Sequence, residues 1–290
     1  MKGLSHIGAL EALDEKGLLR CVKEYIGTSA GALIAFCIVC GYTLAEMRPL
    51  CTQFDFTLIQ NLDPDIILQF PEKFGFDNGA NVEKLLDVLL KKKGISPEIT
   101  FEEFAAKFPD QPTLRAYAID IHTCLPKEFS LKNTPRAKLT QAIRASMSIP
   151  FFFTPVIDSE TGHFLVDGGL LYHFPFHHLS DEERNETLGI AFNDINRSVS
   201  QLFSSPEEVF AMGLAGYILR IYYSAYYSQN VELYSNWSRR IILVECGSFP
   251  SIHFDATMEQ KTELLELGSK GVANFLNRPV KTIPRRNSIA

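Results

Sequence analysis

Short extended runs alternate with helical runs along this chain, which predicts an α/β fold of three layers, helices covering both faces of a mostly parallel central sheet. Two further observations agree. A Gly-x-Ser-x-Gly turn stands between an extended run and an apolar helical run, the strand-turn-helix joint that layered α/β enzymes use to present a serine. No linker-like composition shift and no internal repeat breaks the pattern, so residues 1–290 are expected to form a single domain. The 290 residues, 46% of them hydrophobic, supply ample core material.

The elements follow in order. Residues 5–16 place Ile7, Leu10 and Leu13 at helical spacing and stop at Gly17. Residues 21–26 are extended, 27–31 form a tight turn, and the apolar run 32–40 is a buried helix ending at Gly41. Helical patterns dominate 43–111, notably 82–93 with Leu85, Leu86, Leu89 and Leu90, and 101–108 around Phe104; Asp77-Asn78-Gly79 marks a turn. Strands are expected at 113–120 and 128–131, a short helix at 139–146, and a strand at 163–166 that runs into Asp167-Gly168-Gly169. Residues 188–192 and 241–245 read as further strands and 258–276 as a closing helix. Between them 206–227 is expected to be a long helix, with Glu207 and Glu208 in its first turn where negative charge suits the helix dipole.

Composition removes several functions. The net charge of −6 comes from acidic residues spread through the chain, and no basic block could track a phosphate backbone, so nucleic acid is not an expected partner. Six scattered cysteines, Cys21, Cys37, Cys40, Cys51, Cys124 and Cys246, lack metal-ligand spacing. Cys37 and Cys40 are read as core residues, and neither metal nor cofactor is expected. The opening residues lack the apolar run of a secretion signal, which points to a cytoplasmic protein with reduced thiols. The Asn-x-Ser/Thr triplets at Asn185, Asn196 and Asn236 are accordingly read as chance. The longest apolar candidate, 30–42, falls short of the roughly 20 residues needed to span a bilayer core, so membrane contact would be peripheral.

Gly27-Thr28-Ser29-Ala30-Gly31 carries the chemistry. Gly27 and Gly31 are expected to let backbone segments approach closely, and Ser29 to stand at a helix N-terminus, where free N–H groups favour a developing oxyanion. A serine hydroxyl needs a base at hydrogen-bond distance. Most such hydrolases use a histidine late in the chain, with an acid before it. Of His6, His122, His163, His173, His177, His178 and His253, only His253 stands late enough. His173, His177 and His178 have metal-like spacing, but Phe174, Pro175 and Phe176 break a regular face, so solvated or capping roles are expected.

Four segments together resemble the patatin-like phospholipase family. They are the opening Lys2-Gly3-Leu4-Ser5-His6-Ile7-Gly8-Ala9-Leu10 with the Ser29 turn, the block Ala145-Ser146-Met147-Ser148-Ile149-Pro150-Phe151-Phe152, the motif Asp167-Gly168-Gly169, and the closing Gly268-Ser269-Lys270-Gly271-Val272-Ala273-Asn274-Phe275-Leu276. The matches run in order over nearly the whole chain. The resemblance implies a patatin-like fold, a phospholipid or other acyl-lipid substrate, and a Ser–Asp dyad without histidine. Ser29 then carries over as nucleophile, Asp167 as its base, and Gly168 and Gly169 as the rest of the Asp motif. To work as a base, Asp167 must be buried enough to raise its basicity.

The family's oxyanion loop reads Asp-Gly-Gly-Gly-x-Arg/Lys-Gly after a first strand, and this sequence begins inside it. Lys2 and Gly3 match its last two positions, and the Ala30 N–H is the expected second donor; without the leading glycines and strand, turnover is expected to be weak. Acyl chains also need an apolar groove with cover, for which 210–227, rich in tyrosine, is the first candidate and Phe70, Phe74 and Phe76 the second. Three readings stand, in order: a lipid acyl hydrolase using Ser29 and Asp167, a non-catalytic relative that binds lipid or protein, and a Ser-Asp-His esterase using His253.

Overall fold

The computed structural model describes residues 2–61, 69–192, 233–246, 249 and 255–278. Its elements run α1 (Leu4–Glu15), β1 (Glu24–Thr28), α2 (Ala30–Val39), α3 (Leu44–Gln53), the single turn α4 (Phe70–Lys73), β2 (Gly75–Asp77), α5 (Ala80–Lys92) and α6 (Phe101–Lys107). Then come β3 (Thr113–Asp120), β4 (Leu125–Ser130), α7 (Leu139–Ser146), β5 (Phe151–Phe153), β6 (Val156–Ile157), β7 (Phe164–Asp167), α8 (Asp181–Glu186), β8 (Gly189–Phe192), β9 (Ile241–Val244) and α9 (Met258–Leu276). The expected helix at 206–227 lies outside the described residues, as does His253.

The architecture is α/β, but the central sheet is mixed where a mostly parallel one was expected. Its order is β1-β3-β7-β6, with β4 on the other edge of β3. Only β1 runs parallel to β3; β4 and β7 run antiparallel to β3, and β6 antiparallel to β7. Short connections force this for β3 with β4 and for β6 with β7, because a parallel pair needs a long crossover. Asp120 closes the turn from β3 to β4 by accepting the N–H groups of His122 and Thr123. Asp158 closes the turn from β6 to β7, its carboxylate taking the Glu160 N–H and its carbonyl that of Gly162. Two small parallel sheets stand apart, β2 with β5 and β8 with β9.

One register places the site. β3 pairs with β1 up to Thr28 opposite Tyr117 and then, along the same edge, with β7 from Asp167 opposite Ala118. The end of β1 and the end of β7 therefore meet where β3 passes from one partner to the other.

Apolar patterning puts α2 in the interior: Ala32, Ala35, Phe36, Cys37 and Val39 are buried and pack with Leu86, Leu90, Phe129 and Ile143. Burial pushes the Cys37 thiol up to about 12, in keeping with a core role. A second cluster joins α1 and α9 to β9 through Leu4, Leu13, Val244, Leu264 and Val272. There the helices touch backbone to backbone. A Cβ on Gly8 would lie 1.9 Å from the Leu265 carbonyl oxygen, and one on Gly268 1.9 Å from that of Ser5. Ser269 Oγ–H donates to the Gly8 carbonyl at 2.9 Å across this contact.

Because backbone cannot yield as a side-chain tip does, Gly8→Ala or Gly268→Ala must separate the helices. Either is expected to lower the unfolding free energy by about 3 kcal/mol, the upper part of the range for overpacked cores, read from urea denaturation midpoints. An unchanged midpoint in both variants would refute the close helix contact.

Candidate active site

β1 enters the Ser29 turn and α2 leaves it. Gly27 is needed for closeness, since a Cβ there would sit 2.4 Å from the Ala32 nitrogen. Gly31 is different: a Cβ on it would meet nothing within 4 Å. The crowding expected at both glycines is real only at Gly27, because Gly31 lies in the first turn of α2 with open space above it. Ser29 takes φ 54° and ψ −126°, a left-handed conformation that a residue with a side chain holds only when its surroundings impose it.

Asp167 ends β7. Its Oδ2 accepts the Ser29 Oγ–H at 2.6 Å, its Oδ1 accepts the Gly169 N–H at 2.7 Å, and its own N–H donates to the Ser148 carbonyl at 2.8 Å. The residue is 4% exposed. Burial pushes its carboxyl up to about 7 from an ordinary 3.8, against the pull of the Ser29 and Gly169 hydrogen bonds. Gly168 makes the approach possible, since a Cβ there would lie 2.5 Å from the Tyr117 carbonyl oxygen and 2.9 Å from Thr28 Cγ2. Gly169 is hemmed in as well, by Asp167 Oδ1 at 2.9 Å and the His173 ring at 2.6 Å.

Ser146 and Ser148, for which the sequence reading named no role, hold both halves in place. Ser146 Oγ accepts the Ser29 N–H at 3.0 Å and donates to the Tyr117 carbonyl at 2.7 Å, so one buried hydroxyl bridges the turn to β3. Ser148 supplies the carbonyl under Asp167, and its hydroxyl is tied to Arg144. Arg144 is buried, and its guanidinium also donates to the carbonyls of Asn78 and Thr154. The Ala145-to-Phe152 block was the signal available in the sequence; that its serines brace the site required the fold.

Of the expected oxyanion residues, Ala30 opens α2 and Gly3 caps α1, and the two touch: a Cβ on Gly3 would come 2.8 Å from Ala30 Cβ. Neither the Gly3 nor the Ala30 N–H has a hydrogen-bond partner among the described residues. Lys2 contributes its carbonyl, which accepts the N–H and the hydroxyl of Ser5. The three neighbouring histidines share no site: His177 and His178 both pack on Tyr172, and His173 stands apart from them. His173 flanks Gly169, His177 faces Tyr172, and His178 stacks on Tyr117 at 4.4 Å, burial pushing it down to about 4. His178 is thus a packed, neutral ring and not the solvated or capping group expected.

Residues 1–180 match the family described as Patatin-like phospholipase. The chain belongs to this family. A wider similarity reaches an uncharacterized protein, YqhO, of Bacillus subtilis strain 168, 28% identical over 96% of this chain and 95% of the relative. A probable lipid hydrolase, 463L, of Invertebrate iridescent virus 6 is 30% identical over 60% of this chain and 58% of its own length. Among solved structures, VipD from Legionella pneumophila shares the fold with a TM-score of 0.57 and 18% identity, over 95% of this chain and 64% of VipD. The type III effector protein ExoU gives 0.50 and 16%, over 95% of this chain and 50% of ExoU. The patatin-like chain is thus spanned almost fully by both structures while covering only part of each.

The two turn glycines should separate on substitution. Gly27→Ala is expected to destabilise by about 2 kcal/mol through backbone overlap. Gly31→Ala, in an open helical position, should be neutral or stabilising by up to about 1 kcal/mol. Thermal or urea unfolding of both variants checks this, and equal loss in the two would mean that Gly31 is crowded after all.

Proposed function

We propose that this patatin-like chain is a serine acyl hydrolase that cleaves a carboxylic ester of a phospholipid or other acyl lipid, with Ser29 as nucleophile and Asp167 as general base. The observation that carries the reading is the 2.6 Å hydrogen bond from Ser29 Oγ to a buried carboxylate whose basicity burial has raised to about 7. A base works best when its pKa lies near the operating pH, and an exposed aspartate would be far too weak.

In the acylation step Ser29 Oγ attacks the ester carbonyl carbon while its proton passes to Asp167 Oδ2. The carbonyl oxygen, now negative, takes hydrogen bonds from the N–H groups of Ala30, at the positive end of α2, and Gly3, at that of α1, neither of which has a partner among the described residues. Collapse of the tetrahedral adduct breaks the bond to the lipid alcohol, which leaves with the proton from Asp167. Water then attacks the acyl-serine, with Asp167 again taking the proton, and Ser29 is restored as the fatty acid departs. The Ser29 hydroxyl bonds directly to the carboxylate, in the place an intervening imidazole would occupy, which favours a dyad over a triad through His253.

Turnover is expected to rise with pH through an apparent pKa near 7 and then level off, because only the ionised carboxylate accepts the proton. Stability should move the other way. The folded carboxyl keeps its proton up to about pH 7 while the unfolded one releases it near 3.8. Stability is therefore full below about pH 4 and falls as pH rises towards 7. Asp167→Asn should abolish turnover and flatten that fall, and an unchanged pH–stability curve in this variant would sink the assignment of the raised pKa.

Ser29→Ala and Ser29→Gly should both remove turnover on a short-chain ester. Glycine is expected to be more stable than alanine by about 1 kcal/mol, since it alone relieves the left-handed backbone. Residual turnover in either variant would refute Ser29 as nucleophile.

A further inference from the structure

Gly169 separates the Asp167 carboxylate from an imidazole. A Cβ on Gly169 would fall 2.6 Å from His173 Nδ1 and 2.9 Å from Asp167 Oδ1. The two atoms therefore stand at most about 5.5 Å apart, the span of two hydrogen bonds that share one water. No direct hydrogen bond joins them among the described residues, since the Asp167 carboxylate accepts from Ser29 and Gly169.

His173 is held in this place from both sides. The Tyr172 N–H closes the preceding turn on the Gly168 carbonyl at 3.1 Å. Phe174, next in the chain, is buried, its ring stacked on Phe176 at 5.3 Å and filling the space where Gly189 would carry a Cβ. Between these anchors the imidazole is exposed. The other approaches to the carboxylate are filled. Gly168 is pressed against the Tyr117 carbonyl and Thr28, the Asp167 N–H is taken by the buried Ser148, and Ser29 covers Oδ2. Among these neighbours His173 alone is exposed.

The half-reaction that needs a polar group here is deacylation. During acylation the leaving alcohol is held in place by the rest of the lipid. The water that follows has no such anchor, and a fixed water needs at least two polar partners. Once Ser29 is acylated its hydroxyl proton is gone, and the ionised carboxylate can only accept. One acceptor leaves a water free to turn about that bond, whereas two acceptors take both hydrogens and fix the direction of its lone pairs.

We infer that His173 Nδ1 is the second acceptor for the hydrolytic water, holding it between the imidazole and the Asp167 carboxylate with a lone pair towards the acyl carbon. The inference rests on the acyl hydrolase reading. The water oxygen bonds to the acyl carbon as its O–H bond on the carboxylate side breaks, and that proton goes to Asp167. The bond from the acyl carbon to Ser29 Oγ then breaks, Asp167 returns the proton to Oγ, and the other hydrogen of the water leaves on the fatty acid. Nδ1 accepts in the neutral tautomer protonated at Nε2.

The test separates the two half-reactions with p-nitrophenyl butyrate. Acylation is followed by nitrophenolate release, and deacylation by the decay of the acyl adduct in intact mass after excess ester is removed. His173→Leu should acylate at the wild-type rate and lose its acyl group about tenfold more slowly, as for one hydrogen bond withdrawn from the reacting water. His173→Asn, which restores an acceptor oxygen close to the position of Nδ1, should recover most of the decay rate. Because the side chain is exposed, both variants should melt as the wild type does. Acylation slowed in step with decay would give His173 a structural role. Unchanged decay in His173→Leu, or an asparagine variant no faster than leucine, would show that Nδ1 does not hold the water, and each of these three results overturns the inference. A well-folded wild-type chain that never acylates Ser29 would overturn the hydrolase reading, and the water site with it.

Discussion

Everything at the site depends on β3 changing partners between Tyr117 and Ala118. A strand edge offers one row of backbone donors and acceptors, and here β1 uses its first half and β7 the second, in opposite directions. Two residues 138 apart in sequence are thereby delivered side by side. A register slip of one residue would turn every side chain of the slipped strand to the other face, carrying Asp167 away from Ser29. The crowding around the junction guards against such a slip. Gly168 fits between the Tyr117 carbonyl and Thr28 only because it has no side chain, and Ser146 pins the turn to the same carbonyl.

The junction also concentrates unfavourable terms in one place. Ser29 holds a left-handed backbone, and Asp167 is a carboxyl buried to the point that its pKa rises. Neither serves folding. Each is compensated locally, the first by the Ser146 hydroxyl on the Ser29 N–H, the second by the Gly169 N–H on the carboxylate. The two are linked, because the serine proton is the second hydrogen bond that the carboxylate receives. In the proposed mechanism that proton would move to Asp167, and the charge would leave a group that burial disfavours as an ion. The proposed transfer would thus be eased by the same desolvation that makes the site costly to build.

The sequence made the elements legible where periodicity or punctuation was strong. Residues 113–120, 139–146 and 258–276 are expected and found with those bounds. The Ser29 turn is likewise a strand-to-helix joint. Strand direction was not legible, because side-chain alternation is the same in parallel and antiparallel strands. The signal lay in the short Asp-anchored turns at Asp120 and Asp158, which exclude long crossovers. Nor were β2, β5 and β6 legible, being two or three residues long, and Phe-rich runs such as Phe151–Phe153 show no alternation. Gly31 illustrates a different limit. A motif identifies a glycine without saying whether packing needs it, and only the space around a Cβ separates Gly27 from Gly31.

The far end of the chain reaches the site by packing alone. α9 presses Gly268 against Ser5 and Leu265 against Gly8, so its position fixes how far α1 stands from it. The N-terminus of α1 is in turn held against the Ser29 turn, where Gly3 meets Ala30 without room for a Cβ. A displacement at the Gly8 and Gly268 contact is therefore passed along a rigid helix of 12 residues to Gly3, one of the two groups proposed to receive the oxyanion. Such donors lose effect steeply with small misplacement. On the proposed mechanism the closing helix would therefore take part in catalysis by packing alone, and β3 and α9 would divide the work: the strand sets Ser29 against Asp167, the helix sets the Gly3 N–H beside the Ser29 turn.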